Sequence, residues 1–388
     1  MKAGYKPCSL GSVAKVIAGQ SPEGKYYNDK GEGLPFYQGK KEFGERVIGE
    51  PTTWTTDITK IGEPGDILMS VRAPVGPINF TDQKICIGRG LAAIRTSETI
   101  DSDFLYYQLL SKQDEIAGTE GAVFASINKA AIEALQVVVP AIEEQRRIVT
   151  LLDEAFADIA TAKANAEKNL QNARELFNSH LDAIVVHAQE NGEIVALSEL
   201  ATDITDGDHM PPPKVEHGLP FITIGNIDKQ TRSIDFSDTF KVPREYFDGL
   251  KANKKPMRGD VLYTVTGSFG IPVLVEDDAE FCFQRHIGLI RPKADVDSTW
   301  LHYLLQSPQV FNQAADGATG TAQKTVSLKV LRNLQVPRIS PKDQLAQVET
   351  LRSVEAECRR LESIYRQKLI ALDDLKKSLL HQAFSGQL

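Results

Sequence analysis

Two stretches of the chain keep apolar or small residues at steps of three and four. The first runs from Glu143 to about Gln189 without a proline or glycine. It sets Ile148, Leu152, Ala155, Ile159, Ala162, Ala166, Ala173 and Leu176 on one face, the spacing of a helix seam. Near Leu170 the stripe passes to Ala173, Phe177, Leu181 and Ile184, which reads as a stutter. The second stretch carries Val348, Leu351, Val354, Cys358, Leu361, Tyr365, Leu369, Leu372, Leu375 and Leu379. A helix of ~45 residues is about 70 Å long and cannot bury such a stripe by itself. Each stripe is therefore expected to cover the other, the alternative being that each helix folds back onto its own domain. The first seam is rich in Ala and the second in larger side chains, so small can meet large. That match favours pairing of the two helices over two homodimeric coils. Antiparallel pairing would put two globular parts at opposite ends of a spacer.

The rest of the chain reads as short strands and turns, and it occurs twice. Gly33-Leu-Pro-Phe36 returns as Gly218-Leu-Pro-Phe221, and Gly65-Asp-Ile-Leu68 as Gly259-Asp-Val-Leu262. Asp101-Ser-Asp-Phe-Leu-Tyr-Tyr107 returns as Asp297-Ser-Thr-Trp-Leu-His-Tyr303. The Gly-Asp pairs read as turns opening β-rich stretches, and the Asp or Ser residues as caps of short helices at 104–111 and 300–307. The offset drifts from 187 at Leu10/Leu197 to 199 at Gly118/Gly317, then holds through Gln145/Gln344 and Leu176/Leu375. Insertions are tolerated where loops dominate, and none along a helix, where one extra residue turns every later side chain. The expected fold is α/β (α+β). Two tandem globular domains, 1–139 and 191–337, are joined by spacer helices, 140–190 and 338–388, packed as an antiparallel coiled coil with pseudo-two-fold symmetry.

Composition narrows the function classes. The 388 residues are 41% hydrophobic and 25% charged, which suits two or three globular domains. No run of about 18 apolar residues predicts a membrane span, and Met1–Pro7 lacks the apolar core of a secretory signal. Four scattered cysteines without a C-x-x-C pair fit a reducing, cytoplasmic setting, and Cys86 and Cys282 read as buried thiols at equivalent positions. All seven histidines fall from His180 onward, so no histidine-based site can be common to both copies. His209, His217, His286 and His302 match no metal-ligand spacing and are expected in loops or on the surface. No phosphate-binding loop and no catalytic constellation is apparent.

The duplicated Gly-Asp stretches, Leu135-Gln-Val preceding Pro140-Ala-Ile-Glu-Glu-Gln145, the two long helices and the ending Leu375-Lys-Lys-Ser-Leu-Leu-His-Gln-Ala-Phe-Ser-Gly-Gln-Leu388 occur in this order. Together they make the chain resemble the specificity (S) subunit of type I restriction-modification systems. One departure is Ile339-Ser-Pro341-Lys-Asp-Gln344, where the prolines are displaced relative to the first copy. The resemblance implies a non-catalytic subunit whose domains each read one half of a bipartite site in double-stranded DNA. It also implies spacer helices that fix the half-site distance and dock two methyltransferase (M) subunits, and restriction (R) motor-nuclease subunits as further partners. S-adenosylmethionine, ATP and Mg are then expected on the partner subunits, with no cofactor on this chain. Two alternatives are a specificity subunit serving a fused nuclease-methyltransferase, and a duplicated protein-binding coiled-coil scaffold.

A formal net charge of -8 does not advertise a DNA binder, but its distribution softens the objection. Residues 140–194 hold 5 Lys+Arg against 10 Asp+Glu, so much of the acid lies in the first spacer and the globular parts are near neutral. The DNA-contact candidates are Lys40, Lys41 and Arg46 in the first copy, with Lys214, Lys251, Lys254, Lys255, Arg258 and Lys324 in the second. Gln38, Arg72, Gln284 and Gln323 have the side-chain types that read base edges, Arg suiting guanine and Gln adenine. Arg89 and Arg285 match across the copies, and each suits either a phosphate or an internal carboxylate. The coiled-coil seam is assigned to Ile148, Leu152, Ala155 and Ile159 against Val348, Leu351, Cys358, Leu361, Tyr365 and Leu372.

Overall fold

Glycine is required at both Gly-Asp turns, because Gly65 and Gly259 adopt φ of 87° and 90°, the left-handed region that side chains disfavour. Each turn launches a strand of a separate four-stranded antiparallel sheet. The computed structural model describes every residue except 1–4, 6, 118–125, 210–211 and 322. Gly118, a marker of the repeat, and Met210 with Pro211 lie outside the described residues. By its internal contacts the chain forms two units, 1–167 with 367–388, and 168–366.

In the first unit the sheet order is Ala14–Ala18, Leu91–Thr96, Ile67–Ser70, Ile78–Phe80. A second sheet has the order Tyr27–Asn28, Trp54–Thr55, Leu34–Tyr37, Ile85–Ile87, Ile61–Gly62 and contains one parallel pair, with Phe36 opposite Cys86. The second unit repeats the plan. Its four-stranded sheet runs Ala201–Asp206, Ile287–Pro292, Val261–Thr264, Pro272–Leu274, and its smaller sheet again has one parallel pair, Phe221 opposite Cys282. Both cysteines are buried, and burial, helped by nearby Asp208, pushes the Cys282 thiol up to about 12.

The Asp after each glycine closes the turn and binds an arginine from the neighbouring strand. Asp66 accepts from Glu63 N at 2.9 Å and from Arg95 at 2.9 and 2.7 Å. Asp260 does the same with Met257 N at 2.9 Å and Arg291 at 2.9 and 2.8 Å. The expected helix caps form as well. Asp101 accepts from Asp103 N and Phe104 N at the start of Ser102–Ser111, and Asp297 accepts from Trp300 N at the start of Ser298–Leu304.

The long helices span Ile142–Asn191 and Pro341–Ser385. Within the first unit Ile148 and Leu152 share a core with Leu380 and Ala383 and also with Leu10, Phe104, Ile132 and Val137 of the globular part. Within the second unit Phe177, Leu181 and Val185 meet Leu351 and Cys358 in a core that also holds Trp300 and Leu301. Thus each helix end both packs on a globular domain and pairs with the other helix, so the two expected alternatives coexist. Pairing is antiparallel: Arg147 reaches Leu388 O at 3.2 Å, and Lys163 reaches Asp373 at 2.6 Å. Ile148, Leu152, Ile159, Val348, Leu351 and Cys358 are buried, whereas Ala155, Leu361, Tyr365 and Leu372 are half-buried along the flank of the seam. Two expected seam residues are corrected: Leu176 and Leu375 are 51% and 46% exposed. They are repeat equivalents that fall one step outside the buried face, which passes through Ala173 and Phe177 in the first helix and through Leu372 to Leu380 in the second.

A buried glutamine ties each helix start to its domain. Gln145 accepts from Asp101 N at 2.8 Å and donates to Thr99 O and Pro140 O at 3.1 and 2.8 Å. Gln344 repeats all three bonds, with Asp297 N, Asp295 O and Ile339 O at 2.7, 3.1 and 3.0 Å. An alanine at either position strands three backbone groups, and a stability loss of about 2–4 kcal/mol is expected in urea unfolding. A loss below about 1 kcal/mol would mean that water takes over the glutamine's role.

Candidate nucleic-acid interface

The strand ends carry backbone bonds that bring three loops together in each unit. In the first, Gly90 N donates to Gln38 O at 3.1 Å, and Val71 N donates to Gly90 O at 2.9 Å. Arg72 bridges to Ser126 in the loop that leads toward the first long helix. A Cβ on Gly90 would stand 2.2 Å from Gln38 O, so glycine permits the close approach. Gln38, Arg72 and Arg89 are therefore neighbours on one end of the unit and are exposed, with exposed Lys40 and Lys41 two and three residues beyond Gln38.

The second unit is built alike. Val265 N donates to His286 O at 2.9 Å, the counterpart of Val71 to Gly90, and Gly267 N donates to Lys324 O at 3.0 Å. Thr266 pairs with Thr325 as Arg72 pairs with Ser126. Gln284 N donates to Ile222 O, and Arg285 N to Asp208 O at 3.2 Å. Half-buried Gln284 and exposed Arg285, Gln323 and Lys324 thus gather on the equivalent end. Among the described residues no carboxylate forms an ion pair with Arg89 or Arg285, and both residues are exposed. In the second unit Lys254 donates to Gly207 O at 3.0 Å and stands 3.9 Å from Asp206.

Other candidates are held elsewhere. Arg46 donates to Asp103 at 2.7 Å, Asp153 at 2.8 Å and the Tyr107 hydroxyl at 3.1 Å, and its guanidinium lies against the Phe80, Tyr106 and Tyr107 rings. Burial alone would lower its pKa, but the hydrogen bonds to Asp153 and Asp103 prevail and raise it. Its bonds to Asp103 and to Asp153 of helix Ile142–Asn191 fasten the globular part to the first long helix. Arg258 is exposed at the opposite end of strand Val261–Thr264 from the gathered loops. Lys255 donates to Asp248 O at 2.9 Å over the Phe247 ring, Lys214 lies over Phe240, and Lys251 is exposed.

Reading residue types also missed groups at this end. Asp208 accepts from the Tyr246 hydroxyl at 2.7 Å, and burial followed by that bond raises the tyrosine's pKa. Asp206 holds His209 at 2.8 Å. Tyr246 is 38 residues from Asp208 in the sequence, so their pairing has no local signal. His302 departs from the expected loop or surface placement, since it lies within helix Ser298–Leu304 and burial pushes its pKa down to about 4. No cluster of His, Cys, Asp or Glu able to hold a metal occurs among the described residues. No helix among them is long and apolar enough to cross a membrane.

Two units of one plan thus each end in exposed Arg, Gln and Lys side chains on paired loops. Residues 2–170 match the family described as type I restriction modification DNA specificity domain. Over this part the chain is similar to specificity subunits of type I restriction-modification systems. It is 40% identical over 164 residues to a putative type I restriction enzyme MjaX specificity subunit from Methanocaldococcus jannaschii, a match covering 42% of this chain and 38% of that one. Identity to the Escherichia coli EcoBI specificity subunit is 21% over 411 residues, covering 98% and 85%. The fold is that of the HsdS subunit from Thermoanaerobacter tengcongensis, with a TM-score of 0.64, 18% identity and coverage of 100% and 98%.

Proposed function

We propose that this chain is the DNA-sequence-reading subunit of a type I restriction-modification complex and performs no chemistry itself. Residues 1–139 and 191–337 each read one half of a bipartite target, while 140–190 and 338–388 set the half-site spacing and dock two methyltransferase subunits. Those subunits supply S-adenosylmethionine chemistry, and restriction subunits with ATP and Mg complete the assembly. The observation that carries this reading is the pair of equivalent loop ends, Gln38–Arg72–Arg89 and Gln284–Arg285–Gln323. Both present guanidinium and amide donors of the kind that recognise base edges. Near-neutral domains imply that much of the phosphate attraction comes from the partner subunits, so binding by the assembled complex is the salt-sensitive step.

The test is to co-express the chain with its methyltransferase subunits and map modified adenines. Arg89→Ala should relax or weaken recognition in one half of the site and Arg285→Ala in the other, each by about 1–3 kcal/mol if a base contact is lost. Loss of the same half by both variants, or an unchanged site with either, would overturn the assignment. Deleting about four residues at equivalent points of both helices should alter the spacer and leave both half-sequences alone. An unchanged spacer would refute the role of the helices as a ruler.

A further inference from the structure

Among the described residues, each unit contains one ion pair across the two long helices. Lys163 Nζ lies 2.6 Å from Asp373 Oδ1 in the first, and Arg174 Nε lies 3.3 Å from Glu362 Oε2 in the second. The constant offset of 199 makes Glu362 the repeat counterpart of Lys163, and Asp373 the counterpart of Arg174. The two bridges therefore use the same pair of repeat positions with opposite polarity. The first helix holds both cations and the second holds both anions.

The inversion matters when a helix meets a second copy of itself. In the same antiparallel register, self-pairing of the first helix would set Lys163 against Arg174 twice. Self-pairing of the second would set Glu362 against Asp373 twice. Side-chain size points the same way over this stretch. Ala166 and Ala173 are buried on the first helix, while the second brings Leu361, Tyr365, Leu369 and Leu372. Facing alanines leave space and facing large residues crowd it. Charges flanking a helical seam set partner choice through the pairings they penalise as much as those they favour.

We propose that Lys163, Arg174, Glu362 and Asp373 make the two helices select each other and reject a second copy of this chain, keeping the pairing within one molecule. This holds whether or not the loop ends read DNA.

The test uses two differently tagged copies of the full-length chain, co-expressed, with one tag captured and the other quantified. Arg174→Glu with Glu362→Arg keeps opposite charges at both intrachain bridges but makes each helix attractive to its own copy. Lys163→Glu with Asp373→Lys does the same through the other bridge, so the inference does not hang on one variant folding. All four changes together restore like-charge opposition between copies. Cross-copy capture is expected at background for the natural chain, about tenfold higher for each two-residue exchange, and at background again for the four-residue variant. Capture unchanged by both exchanges, or raised capture that persists in the four-residue variant, would overturn the proposal.

Discussion

Asp260→Ala is expected to destabilise the second unit by about 3–5 kcal/mol, the cost of leaving a buried charge without its partner. Asp260 is 2% exposed and receives two hydrogen bonds from Arg291, whose side chain is only 16% exposed. The carboxylate also accepts from Met257 N, so its removal opens the turn that starts strand Val261–Thr264. The repeat supplies an internal control. Asp66 is as deeply buried, but the Arg95 side chain is 38% exposed and can regain water when its partner is lost. Asp66→Ala should therefore cost less, about 1–3 kcal/mol. The chain has two tryptophans, Trp54 in the first unit and Trp300 in the second, so with the other replaced by phenylalanine each reports the unfolding of its own unit. An Asp66→Ala loss equal to or larger than that of Asp260→Ala would show that arginine burial does not set the cost.

The comparison of these two aspartates also shows what a sequence can reveal. The Gly-Asp turns and the Asp101 and Asp297 caps depend on neighbours within a few residues, and their chemistry was readable from local order. The long helices were readable because a 3.6-residue period repeated over ten turns averages out single exceptions. Individual seam positions were less secure: after the shift near Leu170 the buried face moves by part of a turn, which carries Leu176 and Leu375 outward together. Interactions between distant segments were not readable. Arg46 looked like one more surface cation, yet it meets Asp103 and Asp153, 57 and 107 residues away. Arg89 and Arg285 matched across the copies as clearly as Arg95 and Arg291 do. Only the paired strands distinguish them, placing the latter two beside buried carboxylates and the former two on exposed loops. Gln145 and Gln344 stood out by their constant offset, but the three backbone groups each one ties together come from both sides of a helix start.

Acid should destabilise the second unit through His302, before most carboxylates titrate. Its pKa is pushed down to about 4 by burial first and then by Arg232. Arg232 belongs to the hairpin linking Ile227–Asp228 and Ser233–Ile234, has φ of 51°, and also faces Glu355 and Arg359 of the second long helix. His302 Nδ1 is buried without a hydrogen-bond partner among the described residues. As pH falls through about 6.5, the unfolded chain takes up a proton on this imidazole while the folded chain does not until about pH 4. The stability contributed by the neutral ring is thus complete above the unfolded value and is lost progressively down to the folded one. A shift of this size corresponds to as much as about 3 kcal/mol. His302→Phe should flatten that decline in denaturant unfolding read at Trp300, while unfolding read at Trp54 should respond little, because Tyr106 occupies the equivalent place in the first unit. If the natural chain and the phenylalanine variant lose stability in parallel between pH 6.5 and 4.5 (roughly the window below the free histidine value), the imidazole is not the group responsible. A steeper decline in the variant would mean that the folded ring is protonated more readily than its burial implies.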